Sequence, residues 1–484
     1  MNWKTLMCPD RIRQVSRSAT SSDMRSEFEK DYQRIISSAS FRRLQDKTQV
    51  FPLDKSDFIR TRLTHSLEVA NFARSIGRMI STRIIDELRD PEFDDRMRND
   101  VCAVLECAGL LHDIGNPPFG HFGEDAIRDW FARNLDEIDY MDGKLGDVLT
   151  LQQREDFCHF EGNTQALRVV SRLHFIVDEN GMNLTKALLA TIMKYPCSSV
   201  EIKYDKKDPE RDIARKKMGY FAADKEIFDS VQSGCGTAGR RHPLAFALEA
   251  ADDIAYRTAD IEDAVKKRLL NCAIIHKELE TAIDEAVKQK RPDNVITEAK
   301  DMLKKLDYYI QKAEDINFED KDLYAIQNWV VRVQGRLLIC AVDSFMNNYD
   351  LIMVGEYKRE LLAGTPGGFI ADTLGDIAYR YAFTCAPILK LEVAADAIFD
   401  FLLERFVMAL RYYDTDEWEM HACAVDRKMV ELISSTFMHV YEIHSRGKSE
   451  NEKLYLRLLL ATDYVSGMTD SYAKRLYREL KGID

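Results

Sequence analysis

The chain has few of the residues that interrupt helices. Its 484 residues include only 11 prolines and 22 glycines. Long stretches rich in leucine, alanine, glutamate, lysine and arginine lie between them. Because proline and glycine disfavour helix interiors, their scarcity favours helices over strands. We therefore predict an all-α fold with few or no strands.

Paired cysteines and export signals are also missing. The ten cysteines are scattered, without a CxxC pair or a regular framework. The N-terminal residues lack the apolar run of a signal peptide, and no uncharged stretch is long enough to span a bilayer. These absences disfavour disulfides and a cysteine zinc cluster. We expect reduced thiols in a cytoplasmic protein without membrane partners.

Positive charge is in deficit. The chain has 68 lysines and arginines against 81 acidic residues, a formal net charge of −13. This balance argues against broad nucleic-acid binding, although a local basic patch can exist within an acidic protein. The hydrophobic content of 45% is typical of a globular protein. The length predicts two or more packed lobes.

The most informative stretch covers residues 109–124. A predicted apolar helix delivers His112 and the adjoining Asp113 into a buried wall. A glycine and two prolines then end that helix and force a loop, which returns His121 and, shortly after, Glu124. A His-Asp pair alone is more often a satisfied core feature than a catalytic one. Partners elsewhere in the chain must therefore decide its meaning.

Two further segments supply candidate partners. His65 lies in the first turn of a helix predicted from Thr64. Asp252, Tyr256 and Asp260 are spaced four apart on one stripe of a later predicted helix. Carboxylates at this spacing repel unless a cation or a hydrogen-bonding ligand lies between them. The alternative is an exposed acidic edge.

Together, these segments bring two imidazoles and two carboxylates from three predicted helices: His65, His112, Asp113 and Asp252. This mixed nitrogen and oxygen set suits a divalent ion such as Mn, Fe, Co, Zn or Mg. In an open site such an ion lowers the pKa of bound water or polarises a phosphoryl oxygen. His121 suits proton transfer, and Glu124 could fix its tautomer.

Charged and irregular segments allow more than one interpretation. The cationic cluster at 41–52, with Arg60 and Arg62, is either a solvated face or a phosphate contact. We interpret the mixed-charge run 203–217 as an exposed excursion, with a lid as the alternative. Arg332 and Arg336 are either triphosphate contacts or structural salt bridges.

Periodicity also predicts several elements away from these motifs. It predicts one helix over 28–45 and paired helices over 271–318. It predicts a charged connector over 86–100 and polar, irregular chain over 136–160.

The ordered set of His, His-Asp and Asp resembles the HD-domain metallophosphohydrolases. Its surroundings are similar to the bacterial deoxyguanosinetriphosphate triphosphohydrolase (dGTPase) family. The matching segments are 42–52, 61–69, 112–124, 161–163, 194–196, 249–256 and 467–470. They span nearly the whole chain, and the segments 112–124 and 249–256 are highly specific.

This resemblance implies a fold and an activity. The activity is metal-dependent hydrolysis of a deoxynucleoside triphosphate, dGTP favoured, to deoxynucleoside and inorganic triphosphate by water attack on the α-phosphorus. The implied fold is an HD-type helical catalytic core over 1–270, including an N-terminal substrate-binding segment. The helical region 271–484 packs on that core and contributes to the pocket and to oligomer contacts.

The resemblance also implies a cofactor and partners. The divalent ion is Mn, Mg or Fe, and the assembly is a homo-oligomer, by resemblance a hexamer. Some members respond to a nucleotide activator or to single-stranded DNA at separate sites. The acidity of this chain does not indicate DNA.

Site roles follow from the same resemblance. His121 and Glu124 match the catalytic pair, and Asp252 rather than Asp253 matches the fourth metal ligand. The implied substrate contacts are Arg62, Asn163, Lys194 and Tyr195 for the triphosphate, Gln49 and Asp260 for the sugar 3′-hydroxyl, and Tyr256 beside the sugar. Asp253 is expected in a helix-supporting hydrogen bond. Whether His121 protonates the leaving oxygen or activates the water stays open.

Two alternatives to this activity share the same residues. Another HD phosphohydrolase, a nucleotidase or phosphodiesterase, would release monophosphate, orthophosphate or pyrophosphate. A non-catalytic nucleotide sensor would bind without turnover, and the intact His121 and Glu124 argue against it.

Overall fold

The computed structural model describes residues 1–13, 23–49, 51, 59–174, 178–205, 207–208 and 211–483. Within these ranges the secondary structure comprises 23 α-helices, short 3₁₀ and π-helical turns, and one two-stranded antiparallel ribbon. The prediction of an all-α fold with few strands is confirmed. None of the described helices has both the length and the apolar character needed to cross a lipid bilayer.

The chain up to residue 270 contains twelve of the described helices. They are α1 (Trp3–Leu6), α2 (Glu27–Ile36), α3 (Ala39–Arg43), α4 (Arg62–Arg83), α5 (Asp95–Leu111), α6 (His121–Asn134), α7 (Leu145–Val148), α8 (Leu151–Cys158), α9 (Gly162–Arg168), α10 (Lys186–Ile192), α11 (Lys225–Cys235) and α12 (Pro243–Lys266). The ribbon strands, between α6 and α7, are β1 (Asp139–Tyr140) and β2 (Gly143–Lys144).

The rest of the described chain contains eleven helices. They are α13 (Cys272–Lys288), α14 (Asp293–Asp315), α15 (Lys321–Asn347), α16 (Tyr349–Val354), α17 (Pro366–Ala378), α18 (Ala386–Leu410), α19 (Trp418–His421), α20 (Ala424–Glu431), α21 (Ser435–Ser445), α22 (Glu450–Ser466) and α23 (Asp470–Lys481). Single π-helical turns extend α4, α9 and α17 at Ile84–Leu88, Val169–Leu173 and Tyr379–Phe383.

The helices α4, α5 and α12 pack against one another at the centre of the site-bearing region. The contact between α4 and α5 is the most extensive between any two described helices. Gly109 allows their close approach, because a Cβ there would lie 2.5 Å from the Cα of Ala70. Apolar side chains such as Leu105 and Ile76 are fully buried, and each such side chain contributes about 1.5–3 kcal/mol. This packing fixes His65 and His112 relative to each other.

The helix α12 enters the core at its N-terminal end. Pro243 occupies its first turn, where the missing N–H costs nothing, and residues 243–251 are all buried. A helix that is buried on every face must lie inside the protein. The backbone of α12 therefore holds Asp252 rigidly beside α4 and α5.

Two predicted boundaries were wrong because polar side chains cap helices. The predicted helix over 28–45 breaks before α3, where the Ser38 hydroxyl accepts a hydrogen bond from the N–H of Phe41. The predicted connector over 86–100 contains the start of α5, where the Asp94 carboxylate accepts from the N–H of Met97. Serine and aspartate favour N-caps over helix interiors.

The prediction of irregular chain over 136–160 was also wrong, because this segment contains the ribbon, α7 and α8. Thr150 begins α8 with a capping box, in which its hydroxyl and the Gln153 side chain each bond the other's backbone N–H. The polar composition of this segment hid these short elements, because they depend on caps rather than on an apolar stripe.

The helices after residue 270 lie against the earlier ones, with α15 and α17 on α12 and α18 on α6. The paired helices predicted over 271–318 are confirmed as α13 and α14. Arg332 donates to the Tyr309 hydroxyl at 2.9 Å, and Arg336 pairs with Glu298 at 2.7 Å. Both arginines thus bind α14, as structural contacts. The division of the chain into a catalytic core over 1–270 and a second helical region over 271–484 stays a prediction.

Candidate active site

Four predicted ligand side chains converge where α4, α5 and α12 meet. His65, His112 and Asp113 each offer one potential ligand atom, and these three atoms lie within 4.8 Å of one another. The centroids of the two imidazole rings are 5.2 Å apart. Asp252 Oδ1 lies 3.3 Å from His65 Nε2 and 3.4 Å from His112 Nε2. Side chains that are up to 187 residues apart in sequence therefore form one cluster, which we call the His-Asp group.

The orientation of His112 suits metal binding. Its Nδ1 lies 2.7 Å from the carbonyl oxygen of Gly109, so Nδ1–H donates there and Nε2 is the nitrogen that faces the carboxylates. That Nε2 is buried and has no hydrogen-bond partner among the described residues. A buried polar atom without a partner costs about 1–3 kcal/mol. A cation bound by two nitrogens and two oxygens would satisfy it.

Charge in the His-Asp group also favours a cation. Burial lowers the pKa of His112, but Asp113 and Asp252 outweigh that effect and raise it to about 10. Burial likewise opposes ionisation of the two carboxyl groups, yet their cationic neighbours hold both pKa values well below the usual range. A position that stabilises a proton so strongly would also stabilise a divalent ion.

Two buried cations contact the ligand carboxylates. The guanidinium of Arg62 donates to Asp113 Oδ2 at 2.6 Å, and the ammonium of Lys194 donates to Asp252 Oδ2 at 3.0 Å. Both side chains are buried. Positive charge concentrated at this point of an acidic protein indicates an anionic ligand.

Lys47 is a third buried cation, which the sequence reasoning missed. Its Nζ donates to the carbonyl oxygens of Asn116 and Ser466, at 2.5 and 3.1 Å. Burial lowers the pKa of Lys47 to about 7. The cationic cluster at 41–52 gave a general signal for phosphate contact, but this one lysine is held by residues from two distant segments, at Asn116 and Ser466.

His121 and Glu124 form a hydrogen-bonded pair at the start of α6. His121 Nδ1 lies 2.9 Å from Glu124 Oε2, and the buried Glu124 accepts the N–H of Gly162 through Oε1 at 2.7 Å. The His121 side chain is 74% exposed. The hydrogen bond to Glu124 is the main cause that raises the pKa of His121.

The backbone before His121 brings this pair close to the His-Asp group. Gly120 has a φ of +62°, and a Cβ at that position would lie 2.4 Å from Arg62 Nη2. Because Arg62 also contacts Asp113, one guanidinium connects the two parts of the site. Only glycine leaves room for it in this conformation.

A second ion-pair network holds Glu124. Arg128 reaches Glu124 at 3.4 Å and Glu161 at 2.9 Å, and Lys217 donates to Glu161 at 2.7 Å. Burial opposes ionisation of Glu124, but His121, Lys217 and Arg128 lower its pKa to about 2. Glu124 is therefore an ionised acceptor at neutral pH.

These supporting residues were also missed from sequence. Arg128 stands four residues after Glu124, and this helical spacing was an available signal. Lys217 ends the run 203–217 that was interpreted as an exposed excursion. That interpretation was wrong for Lys217, which reaches Glu161; residues 206, 209 and 210 lie outside the described residues.

The predicted triphosphate contacts lie around this region. Asn163 is half-buried in the first turn of α9 and donates to Glu161 Oε1 at 3.3 Å. Tyr195 is buried beside Lys194, and burial raises its pKa. Their roles as substrate contacts stay predictions.

The predicted sugar contacts lie further from the His-Asp group. Asp260 stands two turns beyond Asp252 on α12, about 12 Å along the axis, with half-buried Tyr256 between them. Both Asp260 carboxylate oxygens and Gln49 Oε1 are buried without a hydrogen-bond partner among the described residues. Burial raises the pKa of Asp260 well above its usual value. Among the described residues, no hydrogen bond or ion pair joins Gln49, Tyr256 or Asp260 to the His-Asp group.

Among the described residues, Asp253 does not make the hydrogen bond that was expected of it. No hydrogen bond supports its carboxylate within the described part of the chain, so the expected helix-supporting bond is absent there. Burial raises its pKa to about 8, and Glu249 and Glu360 add to the effect. Since α12 advances about 100° per residue, the side chain of Asp253 leaves the helix in a different direction from that of Asp252.

Comparison with known proteins identifies the family. The HD domain family model matches residues 62–191. The chain is 43% identical to a deoxyguanosinetriphosphate triphosphohydrolase-like protein of Listeria innocua, over the full length of both. It is 33% identical to a probable deoxyguanosinetriphosphate triphosphohydrolase of Pseudomonas aeruginosa, over 95% of this chain and 94% of the relative. It is 31% identical to the deoxyguanosinetriphosphate triphosphohydrolase of Klebsiella pneumoniae, over 100% of this chain and 98% of the relative. The predicted family is thus confirmed, and this chain belongs to the deoxyguanosinetriphosphate triphosphohydrolase family of hydrolases.

Proposed function

We propose that this protein hydrolyses deoxynucleoside triphosphates, dGTP favoured, to the deoxynucleoside and inorganic triphosphate. The observation that carries the proposal is the His-Asp group, with buried Arg62 and Lys194 on its carboxylates and the His121–Glu124 pair beside it. A cation site next to anion-binding side chains and a proton-transfer group suits phosphoryl chemistry.

His65, His112, Asp113 and Asp252 would hold one divalent ion, which we propose is Mn, Mg or Fe. When bound, such an ion supplies a Lewis acid that polarises a phosphoryl oxygen and makes a water more nucleophilic. The carboxylates would then share their negative charge with the ion. Arg62 and Lys194, which now pair with these carboxylates, would be freed in part to bind phosphate oxygens.

Arg62, Lys194, Tyr195 and Asn163 are the proposed triphosphate contacts. Charge-assisted hydrogen bonds from buried cations neutralise a polyphosphate more strongly than exposed ones, because water screens them less. They would fix the α-phosphorus for attack and stabilise the charge that grows on the leaving triphosphate.

His121 is the proposed proton donor to the 5′-oxygen, a poor leaving group. Glu124 binds Nδ1, so Nε2 is the nitrogen that faces substrate. The raised pKa of His121 favours its protonated form near neutrality. Glu124 keeps the imidazole in one orientation because its own two oxygens are bound by Gly162 and Arg128.

Gln49, Tyr256 and Asp260 are the proposed readers of the sugar. The unpartnered oxygens of Asp260 and Gln49 are acceptors for a 3′-hydroxyl. The ring of Tyr256 stacks on Phe383 with centroids 6.3 Å apart, which limits the room beside the sugar. A site that must pair its buried polar atoms discriminates against substrates lacking the hydroxyl.

Assembly, compartment and activation belong to the same proposal. We infer a cytoplasmic hexamer with a nucleotide activator, on the resemblance stated above. The exposed Leu389 and Val393 lie four residues apart on α18, which suits a contact between copies. Sedimentation equilibrium tests the assembly, and turnover of dNTPs singly and mixed tests the activator.

Phosphorus NMR of the products tests the reaction. With Mn and dGTP in ¹⁸O-labelled water, we expect inorganic triphosphate that carries the label on one terminal phosphorus, and unlabelled deoxyguanosine. Orthophosphate or pyrophosphate would instead support another HD phosphohydrolase. Turnover no greater than that of a His112→Ala control would support a sensor.

A further inference from the structure

A separate basic cavity lies at the start of α12. Its volume is about 160 Å³, and its lining includes Pro196, Asp212, Arg215, Arg240, Arg241 and Tyr357. The first residue of α12 is roughly 14 Å from Asp252 along the helix axis. None of the proposed metal ligands or substrate contacts lines this cavity. We call it the arginine cavity.

Arg241 is the buried member of the arginine cavity, with 3% exposure. Its Nη2 donates to Glu249 at 2.8 Å and to the carbonyl oxygen of Ala245 at 3.3 Å. Its Nε and Nη1 are buried and have no hydrogen-bond partner among the described residues. The guanidinium lies over the ring of Phe246, another lining residue, at 4.4 Å. Arg241 thus has two buried donor nitrogens that lack an acceptor among the described residues, in a side chain that lines the cavity.

Arg215 and Arg240 add two exposed guanidinium groups. Neither makes a side-chain hydrogen bond or ion pair with any residue in the described ranges. Gly355 leaves space for Arg240, since a Cβ there would lie 2.3 Å from its Cδ. Asp212 is the one acidic lining residue, and its carboxylate already accepts the N–H of Ala214 at 2.8 Å. Because Arg241 already pairs with Glu249, the positive charge of the cavity comes from Arg215 and Arg240 against one acidic lining residue, in a chain of net charge −13.

We propose that the arginine cavity binds a phosphate group at a site separate from the His-Asp group. Forked guanidinium donors match the oxygens of phosphate, and a charged acceptor would satisfy Nε and Nη1 of Arg241. The volume is below the roughly 300–1,000 Å³ of pockets that enclose drug-sized ligands. The cavity therefore takes a phosphate group, free or as the end of a nucleotide, and leaves any nucleoside outside.

A bound phosphate would act on two segments of the active site. Pro196 directly follows Lys194 and Tyr195, and Arg241 stands two residues before the first residue of α12. Lys194 and Asp252, one from each segment, pair at 3.0 Å. A ligand that contacts both segments stabilises their present arrangement. The arginine cavity is thus a binding site whose occupancy would also support the neighbouring site.

Isothermal titration calorimetry on the full chain tests the proposal, with inorganic phosphate as the probe at constant ionic strength. The His112→Ala background removes one ligand of the His-Asp group, so that phosphate at a metal does not contribute. We expect one phosphate per chain, with affinity at least about tenfold weaker after R215E and R240E together. A matched pair, R405E and R475E, changes the net charge equally on exposed arginines outside the cavity and should leave the affinity unchanged.

The outcomes distinguish the claims. Equal affinity for phosphate in the R215E/R240E and R405E/R475E variants would overturn the proposal. So would the absence of binding to the His112→Ala chain at about 10 mM phosphate. If His112→Ala does not fold, the same pairs are titrated in the metal-free wild-type chain. Parallel titrations with inorganic triphosphate and dGMP show whether the phosphate is free or part of a nucleotide. Hydrolysis of dGTP by R215E/R240E in phosphate-free buffer tests the proposed function independently.

Discussion

Under the proposed function, some side chains at this site hold an ion and others move a proton. His112 lies inside the His-Asp group, with Nε2 3.4 Å from Asp252. His121 instead binds Glu124 and is largely exposed. The two histidines should therefore fail in different ways when removed.

We predict that His121→Ala retains metal and nucleotide binding but loses about 10²–10⁴-fold in kcat, the usual contribution of a positioned acid or base. Metal content and nucleotide affinity, measured beside kcat, check this. His112→Ala is the matched control and should lose metal and turnover together. If His121→Ala lost metal to the same extent, His121 would be a ligand.

The pH dependence of turnover should depend on Glu124. Its carboxylate raises the pKa of His121, so the neutral amide of Glu124→Gln should let that pKa fall. If protonated His121 is the acid, the alkaline limb of kcat/KM moves to lower pH in this variant. An unchanged limb would show that another group controls it.

At the scale of helices, the approach of α4 to α5 determines whether the ligands can meet. Gly109 permits the approach, since a Cβ would lie 2.5 Å from the Ala70 Cα and 2.6 Å from its N. Both clashing atoms belong to the backbone, so no side chain can rotate away. A shift of α5 would move His112, one turn further along the chain.

Gly109→Ala should therefore destabilise the protein by about 1–3 kcal/mol, as overpacking does, and weaken metal binding. Gly335→Ala is the matched control in α15, where a Cβ would meet nothing within 4 Å. It should stabilise by about 0.5–1 kcal/mol through helix propensity. Urea unfolding and metal titration of both variants measure this; equal effects would contradict the close-packing argument.

The sequence predicted elements well where an apolar stripe or a motif marked them, as in α5 and α12. It failed where caps decided the boundary, as at Ser38, because competing local hydrogen bonds do not alter the apolar pattern. It also missed Lys47 and Lys217, whose partners lie in distant segments. Spacing along one helix is local information, whereas burial of a lone lysine depends on the whole fold.

At the scale of the molecule, a divalent ion would join helices from separate parts of the chain. The His-Asp group joins α4, the end of α5 and α12, and its two carboxylates also pair with Arg62 and Lys194. An ion that binds only the folded chain should stabilise that chain as a whole.

We predict that Mn²⁺ raises the thermal unfolding midpoint of the wild-type chain. At about 100 times its Kd the ion contributes about 2.7 kcal/mol. Asp252→Asn should abolish the increase, while Asp253→Asn, its neighbour outside the His-Asp group, should keep it. Scanning calorimetry with and without Mn²⁺ measures the shift, and an equal increase in both variants would show that the ion binds elsewhere.

Three helices place two imidazoles and two carboxylates close enough together to hold one divalent ion. Anomalous diffraction from crystals grown with Mn²⁺ tests it most directly. We expect one strong peak at about 2.0–2.3 Å from the ligand atoms of His65, His112, Asp113 and Asp252. Crystals of active enzyme that show no peak at this position would contradict the ion site. A peak that lacks a ligand from α4 or α12 would contradict it as well.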